Sequence, residues 1–454
     1  MPGRNNLNDM TTGSPTKHIV IFAIPLLIGN ILQQLYNLVD SIVVGNYVGK
    51  TALAAVGTSF PIIFLFVAMF MGFGIGGTIM IAQFYGAGDH ERVKKTIDTM
   101  YTTAMIGVIP LTILGVLGSG LLLRLMKVPA DTYGDAYIYI VIIFLGMLPT
   151  IGYNANAAIL QGLGDSRSPL LFLAIATAIN IGLDLLFVLV FGWGVAGVAI
   201  ATILAQFSSW IFGIYYINRK YPHLNINPFH IRFDRPLFIQ VVKLGVPAAI
   251  QQSIFSIGIM VMQSLVNSYG SDFMAGYNGA SKIDAFAFMP IQSFATAVTT
   301  FVGQNVGAGR YDRVRQGAKA AVLMSVVCSI AIGIILFFSG SYLMRLFSPE
   351  QPVIEAGIAY LYRILPFFSL LSGMFILNGV MRGAGEMLIP VLSTMLSLWL
   401  IRVPSAYLLA NHFGRDNMFF SFAIGWICGF ILSFSYYLSG KWKKKSIAAA
   451  VEDN

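Results

Sequence analysis

Apolar stretches long enough to cross a bilayer follow one another along almost the whole chain, broken by short polar turns. They predict twelve helical spans, near 18–46, 52–84, 96–122, 135–160, 170–192, 194–218, 237–267, 274–304, 317–339, 352–381, 387–411 and 418–440. A helix needs about 20 apolar residues to cross the hydrocarbon core. Within such helices a polar position is conspicuous. The first span carries Gln33, Tyr36, Asn37 and Asp40 at i, i+3, i+4, i+7, one polar stripe on an otherwise apolar surface. Thr177, Asn180 and Asp184 follow a similar spacing on the fifth span, and Thr202, Gln206 and Ser209 on the sixth. Three stripes in one half predict a wet cavity between those helices; the other reading is a sealed hydrogen-bond network that holds them together.

The pattern is written twice. QFYGAGDHERV (Gln83 to Val93) recurs as QNVGAGRYDRV (Gln304 to Val314), 221 residues later. The same shift relates QGLGDSRSP (Gln161 to Pro169) to RGAGEMLIP (Arg382 to Pro390), and a shift of 222 takes Pro25 to Pro247. A constant register over separate segments means a duplicated unit of six spans. An even number of spans makes the repeat parallel, related by an axis along the membrane normal, as in transporters whose halves rock around a central site. The expected organisation is a tail over 1–17, a six-helix bundle over 18–218, a linker over 219–236, a second bundle over 237–440 and a basic tail over 441–454.

Composition agrees with a membrane class. Hydrophobic residues make up 57% of the chain and charged residues 10%, with a mean hydropathy of +0.76; soluble domains carry about 25% charged residues. Of 28 Lys and Arg, twenty fall in the tails, in the even-numbered loops or, as Lys243 and Lys319, on the span ends that border them, and five in the odd-numbered loops, while Lys282, Arg363 and Arg402 lie deeper inside spans. The positive-inside rule then puts both termini in the cytoplasm. The net charge of +9 is dispersed over loops rather than gathered on one domain, so no nucleic-acid partner is expected. The first helix carries Asp40 and no small-residue cleavage site follows it, which argues against a signal peptide. Cys328 and Cys428 both fall inside spans and read as packing residues.

Several motifs do not survive inspection. Gly45 to Thr51 resembles a phosphate-binding loop, but the first glycine is one residue too close and the segment joins two spans. Gly72, Gly74, Gly76 and Gly77 lie within the second span, where small residues let helices approach closely. The five histidines show no metal-ligand spacing, and no GxSxG or HExxH occurs, so no enzymatic activity is expected. The duplicated GAG segments read either as helix-ending turns carrying topology charge, with glycine in a left-handed conformation, or as a cytoplasmic gate where the two loops meet.

Ionisable side chains in the bilayer carry the chemistry. Burying Asp40 or Asp184 costs at least about 2.5 kcal/mol. At the repeat shift Asp40 falls on Met262 and Asp184 on Ser405, so the scaffold is duplicated but the acids are not. The second half holds Lys282 and Asp284 instead; two residues apart on a helix, they cannot pair with each other, and each is open to a structural or a functional reading. Two carboxylates in a low-dielectric pocket cannot both stay ionised cheaply. Such a pair can trade a proton, a sodium ion or an organic cation.

At this point the chain resembles the multidrug and toxic compound extrusion (MATE) family over nearly its whole length. The resemblance rests on the twelve-span duplication, PLLIGNILQQLYNLVDSIVVGNYVG in the first span, GAGD and GAGR after the second and eighth, and QGLGDSRSP and RGAGE after the fourth and tenth. Asp40, the Asn180-x-x-x-Asp184 pair and Thr202 resemble its DinF-like branch. The NorM-like branch uses acids in the seventh and tenth spans, where this chain has none and only Glu355, respectively.

The resemblance implies an all-α membrane fold, a V-shaped pair of six-helix bundles. It implies export of small organic, often cationic, compounds or drugs by alternating access, in exchange for protons or sodium, with no cofactor. Asp40, Asn180, Asp184 and Thr202 would be the coupling-ion cluster, with sodium there as the sole metal. Asn154 and Asn156, with Gln33 and Tyr36, would line the adjoining cavity; Asn37, Gln206, Lys282 and Asp284 complete the expected substrate residues. A monomer in the inner (plasma) membrane of a prokaryote is expected, with lipid as its surroundings. The alternative is a lipid-linked glycan flippase of related architecture, which typically has a cationic cavity. Lys282, Arg363 and Arg402 favour it and the acidic first half opposes it.

Overall fold

The computed structural model describes residues 9–228 and 230–447. Residues 1–8, with Arg4, and 448–454 of the expected tails lie outside the described residues. In chain order the α-helices are α1 (Pro15–Val43), α2 (Lys50–Gly86), α3 (His90–Leu125), α4 (Ala130–Leu145), α5 (Met147–Gly162), α6 (Arg167–Leu185), α7 (Gly194–Lys220), α8 (Arg235–Asn267), α9 (Ser271–Gly307), α10 (Tyr311–Arg345), α11 (Gln351–Ile364), α12 (Phe368–Gly383), α13 (Leu388–Met395), α14 (Val403–Phe413) and α15 (Phe420–Ser439).

Eleven helical segments among the described residues are long and apolar enough to cross a membrane, and the pair α4 and α5 makes a twelfth. This is the expected all-α membrane fold. The pair is bent by 54°. Pro149 lies at the third position of α5 and cannot donate to the preceding turn, and Gly146 sits at the break where Ile203 leaves no room for a Cβ. The tenth span is interrupted in a similar way, by a short 3-10 turn at Leu365–Phe367 that contains Pro366. Long apolar side chains face outward along the spans; Leu117 is 78% and Phe338 82% exposed, positions that only a hydrocarbon environment makes favourable.

The GAG segments end their helices as expected. Gly88 and Gly309 take left-handed φ values of +76° and +70°, and Asp89 then caps α3 by accepting from the Arg92 amide at 2.9 Å.

The chain forms two compact units. One contains Ile28–Ile81 and Asp89–Ala249; the other contains the described residues up to Leu27, Ala82–Gly88 and those from Ile250 onward. The division therefore departs from chain order at the first helix of each repeat, two residues after Pro25 and two after Pro247. It also transfers the last turns of α2. The expected linker belongs to the first of these units. Leu224 and Ile226 are buried, Asn218 brackets both backbone groups of Ile226 at 2.6 and 2.8 Å, and Thr99 and Thr102 bond the backbone of Asp234 and Arg232. The small-residue run of α2 packs as expected in this unit: Gly72 and Gly76 meet the backbone of Gly245 and Val241 on α8, where a Cβ would clash.

Candidate coupling and substrate site

The polar stripe of α1 faces a cavity of about 440 Å³ within the first unit. Tyr36, Asn37 and Asp40 line it from α1, Thr202 and Gln206 from α7, and Tyr139 from α4. Gly57 and Phe60 of α2 and Thr150 of α5 complete its walls. Helical spacing explains the arrangement: positions three and four apart on α1 and four apart on α7 share a face, so two stripes present several polar groups to one volume.

Asp184 approaches from α6. It is fully buried, and its carboxyl lies within hydrogen-bonding reach of that of Asp40. Two carboxylates make such a contact only with a proton or a cation between them. Among the described residues no protein hydrogen-bond partner reaches Asp184 Oδ1 or Oδ2, Asp40 Oδ1, or the amide oxygen and nitrogen of Asn180, one turn before Asp184; Gln206 Oε1 is likewise unpaired. Buried polar atoms without partners are costly, and five of these six are oxygens on the polar stripes of α1, α6 and α7. The hydroxyl of Tyr36 donates to Thr202 Oγ1 at 3.4 Å, joining the stripes of α1 and α7. Both acid-bearing helices then loosen into wide, π-type turns: α1 over Val44–Val48 and α6 over Leu186–Val190. A cluster containing Val43, Val44, Val188 and Val198 seals the region beyond the acids.

The structure therefore brings together Asp40 and Asp184, with Tyr36, Asn37, Thr202 and Gln206 on the cavity that Asp40 opens to. It places other expected residues elsewhere. Gln33 lies one turn before the cavity wall and donates to Asn37 Oδ1 at 3.4 Å. Asn154 lines a neighbouring cavity of about 170 Å³ with Thr78, Met100 and Gln161, its amide donating to Thr150 O at 2.7 Å. Asn156 is completely buried and lines neither cavity: it accepts from the Tyr101 hydroxyl and donates to Trp210 O at 3.0 Å. Its role in the structure is to tie α3, α5 and α7. Thr177 and Ser209, also on the stripes, are used in packing: Thr177 donates to Leu173 O one turn back, and Ser209 donates to Phe172 O, tying α7 to α6. Lys282 and Asp284 belong to the other compact unit; there Asp284 accepts from the Tyr360 hydroxyl at 2.8 Å, while Lys282 is exposed and stands 6.0 Å from the Phe347 ring centre.

Tyr139, Gly57, Phe60 and Thr150 are cavity residues that sequence reasoning missed. Tyr139 sits in an aromatic and β-branched run where nothing in the sequence singles it out; only its 7% exposure and its place beside the cavity mark it.

Comparison with known proteins matches the duplication. The MatE family model aligns twice, over residues 25–186 and 247–408. The chain belongs to the MatE family. This is the MATE family of multi-pass membrane transporters, and its members are not enzymes. Among similar proteins, the MatE chain is 32% identical to the probable multidrug resistance protein YpnP of Bacillus subtilis, over 96% of this chain and 97% of that one. It is 27% identical to the probable multidrug resistance protein NorM of Thermotoga maritima, over 95% and 94% of the two chains. A solved MOP superfamily transporter from Pyrococcus furiosus superposes with a TM-score of 0.90 at 24% identity, over 98% of this chain and all of that one. A multidrug resistance MATE family transporter in an outward-facing conformation gives 0.89 at 24% identity, over 96% and 98%. The MatE chain thus shares their fold.

Proposed function

We propose that this MatE chain is a multidrug efflux transporter that exports organic cations by alternating access in exchange for protons or sodium ions. The observation that carries this reading is the Asp40–Asp184 carboxyl pair, placed where a 440 Å³ cavity meets unpaired amide and carboxyl oxygens. The names of the relatives, multidrug resistance and multidrug export proteins, support the substrate class.

In this mechanism Asp40, Asn180, Asp184 and Thr202 hold the coupling ion. A proton shared by the two carboxyls, or a sodium ion among the carboxylate, amide and hydroxyl oxygens, neutralises the pair. A cationic drug in the cavity does the same from the Asp40 side. Occupancy by ion and by drug is mutually exclusive because each compensates the same negative charge, and the exclusion is the coupling. Tyr139 and Phe60 supply ring faces to an organic cation. An anionic lipid-linked glycan would meet uncompensated carboxylates here, which disfavours the flippase reading.

The twenty-to-five distribution of basic residues supports an orientation with both termini and the GAG turns on the cytoplasmic side of a prokaryotic plasma membrane, and we take the unit of transport to be a monomer. Inside-out vesicles bathed in a fluorescent organic cation, under a proton gradient alone and then a sodium gradient alone, test the function. Dye accumulation is expected under at least one of them; none under either overturns the reading. Labelling of a single cysteine at residue 223 by an impermeant maleimide from outside intact cells would overturn the orientation.

A further inference from the structure

The duplicated glutamines Gln83 and Gln304 have a role that neither the coupling site nor the topology signal requires. Both are fully buried, and both belong to one compact unit. Each accepts a backbone amide from a segment remote in sequence: Gln304 Oε1 from Met10 N at 2.9 Å, and Gln83 Oε1 from Ile447 N at 2.8 Å. Chain ends usually fray unless something ties them down. Here two segments at opposite ends of the sequence dock on equivalent atoms of the two repeats.

The N-terminal segment is held most firmly. The Arg313 guanidinium donates to the carbonyls of Met10, Thr12 and Gly13 at 2.8–3.0 Å and to Asn305 Oδ1 at 3.0 Å. Arg310 donates to Thr11 O at 2.9 Å, and Asn305 Nδ2 to Met10 O at 3.1 Å. Charge-assisted bonds from a planar guanidinium fix geometry as well as energy. The Met10 side chain is 1% exposed in the apolar cluster that also holds Val306 and Trp442. At the other end Trp442 is buried, the Tyr311 hydroxyl donates to Lys443 O at 3.1 Å, and Lys445 pairs with Glu386 at 3.6 Å.

Between the two docked ends the helices touch backbone to backbone. A Cβ on Gly86 would fall on the carbonyl of Gln304, and one on Gly307 on that of Gln83. Gln83 also donates to Gly383 O at 2.9 Å. One side chain thus fastens the last turns of α2 to the end of α12 and to the C-terminal segment. A conformation that opens this face must lift residues 82–88 away from α9 and break the Gln83 bonds.

We propose that residues 10–13 and 442–447 are straps that hold the GAG crossing shut, with Gln83, Gln304 and Arg313 as positioning residues that set how often it opens. The proposal rests on the alternating-access reading above, since only a transporter has to open this face. Its test needs neither drug nor gradient. In a chain carrying Cys328→Ser and Cys428→Ser, Thr300→Cys places a single thiol at a fully buried position one turn before Gln304, where the native hydroxyl has no partner. The rate of maleimide labelling in inside-out vesicles then reports opening. Gln83→Leu, Gln304→Leu, Arg313→Lys and a chain ending at Gly440 should each raise the rate by at least about fivefold, the equivalent of losing one hydrogen bond.

Arg313→Lys decides between roles, because it keeps the topology charge but loses the fork that holds three carbonyls. It also changes a half-exposed side chain that folding tolerates. Labelling that stays at the parent rate in Arg313→Lys and in the shortened chain would overturn the straps. Labelling that rises in a protein exporting no dye under any gradient would leave the straps standing and overturn the export reading instead.

Discussion

Asp184 lies against Asp40 and, among the described residues, no other protein group donates to either of its carboxyl oxygens. The two acids reach each other from α6 and α1, and only Asp40 opens to the cavity. One carboxylate therefore faces the cavity while the other lies buried behind it.

Neutralising either member breaks that arrangement. Asp40→Asn or Asp184→Asn should lower gradient-driven dye export at least tenfold and remove its dependence on pH or sodium. Thermal stability in detergent should hold or rise, because an amide relieves the cost of a buried charge while keeping hydrogen-bonding capacity. Export at the parent rate with intact ion dependence in the double variant would move the coupling site to Lys282 and Asp284.

Gly57 offers a way to fill the cavity without touching the acids. A Cβ built there meets nothing within 4 Å, so Gly57→Leu should fold normally and occupy space that a drug would use. The apparent affinity for a bulky dye should fall roughly tenfold, about 1.4 kcal/mol, with the coupling-ion dependence unchanged. An unaltered dye affinity, measured by direct binding, would place the substrate elsewhere.

The two asparagines of α5 should separate cleanly. Asn156→Leu leaves the Tyr101 hydroxyl and the Trp210 carbonyl without their buried partner, which costs about 1–3 kcal/mol and should lower the melting temperature measurably. Asn154→Ala removes a half-buried amide on a cavity wall and should alter dye transport with little effect on melting. The reverse outcome would exchange their roles.

Pro25 lies inside α1, two residues before the boundary at which that helix passes from one compact unit to the other. Proline leaves the carbonyl four residues earlier without its helical partner. Pro25→Ala should restore that bond, stiffen the helix and slow transport severalfold while folded protein is retained. Transport at the parent rate in reconstituted vesicles would show that the proline is dispensable.

Much of this was legible in the chain itself. A bilayer demands long apolar helices with satisfied backbones, so the spans, their number and the duplicated register follow from hydropathy and self-similarity. Asp40 and Asp184 stood out because a carboxylate in hydrocarbon is costly enough to need a purpose. The asparagines could not be sorted in the same way. Asn154 and Asn156 point about 200° apart on a helix, and the sequence does not say which direction is the cavity and which is the tie to Tyr101. Tyr139 and Gly57 were invisible for a related reason: an aromatic or a glycine in a membrane helix is ordinary, and only its neighbours make it a wall.

Local patterning encodes how each segment meets its solvent. That determined the class of protein, the repeat and the presence of buried charge. The contacts between segments far apart in the chain depend instead on how helices pack, and packing is settled by side-chain shapes contributed from every part of the fold. Tertiary structure alone set Asp40 against Asp184, laid Met10 and Ile447 on the duplicated glutamines, and divided the first helix of each repeat just after its proline.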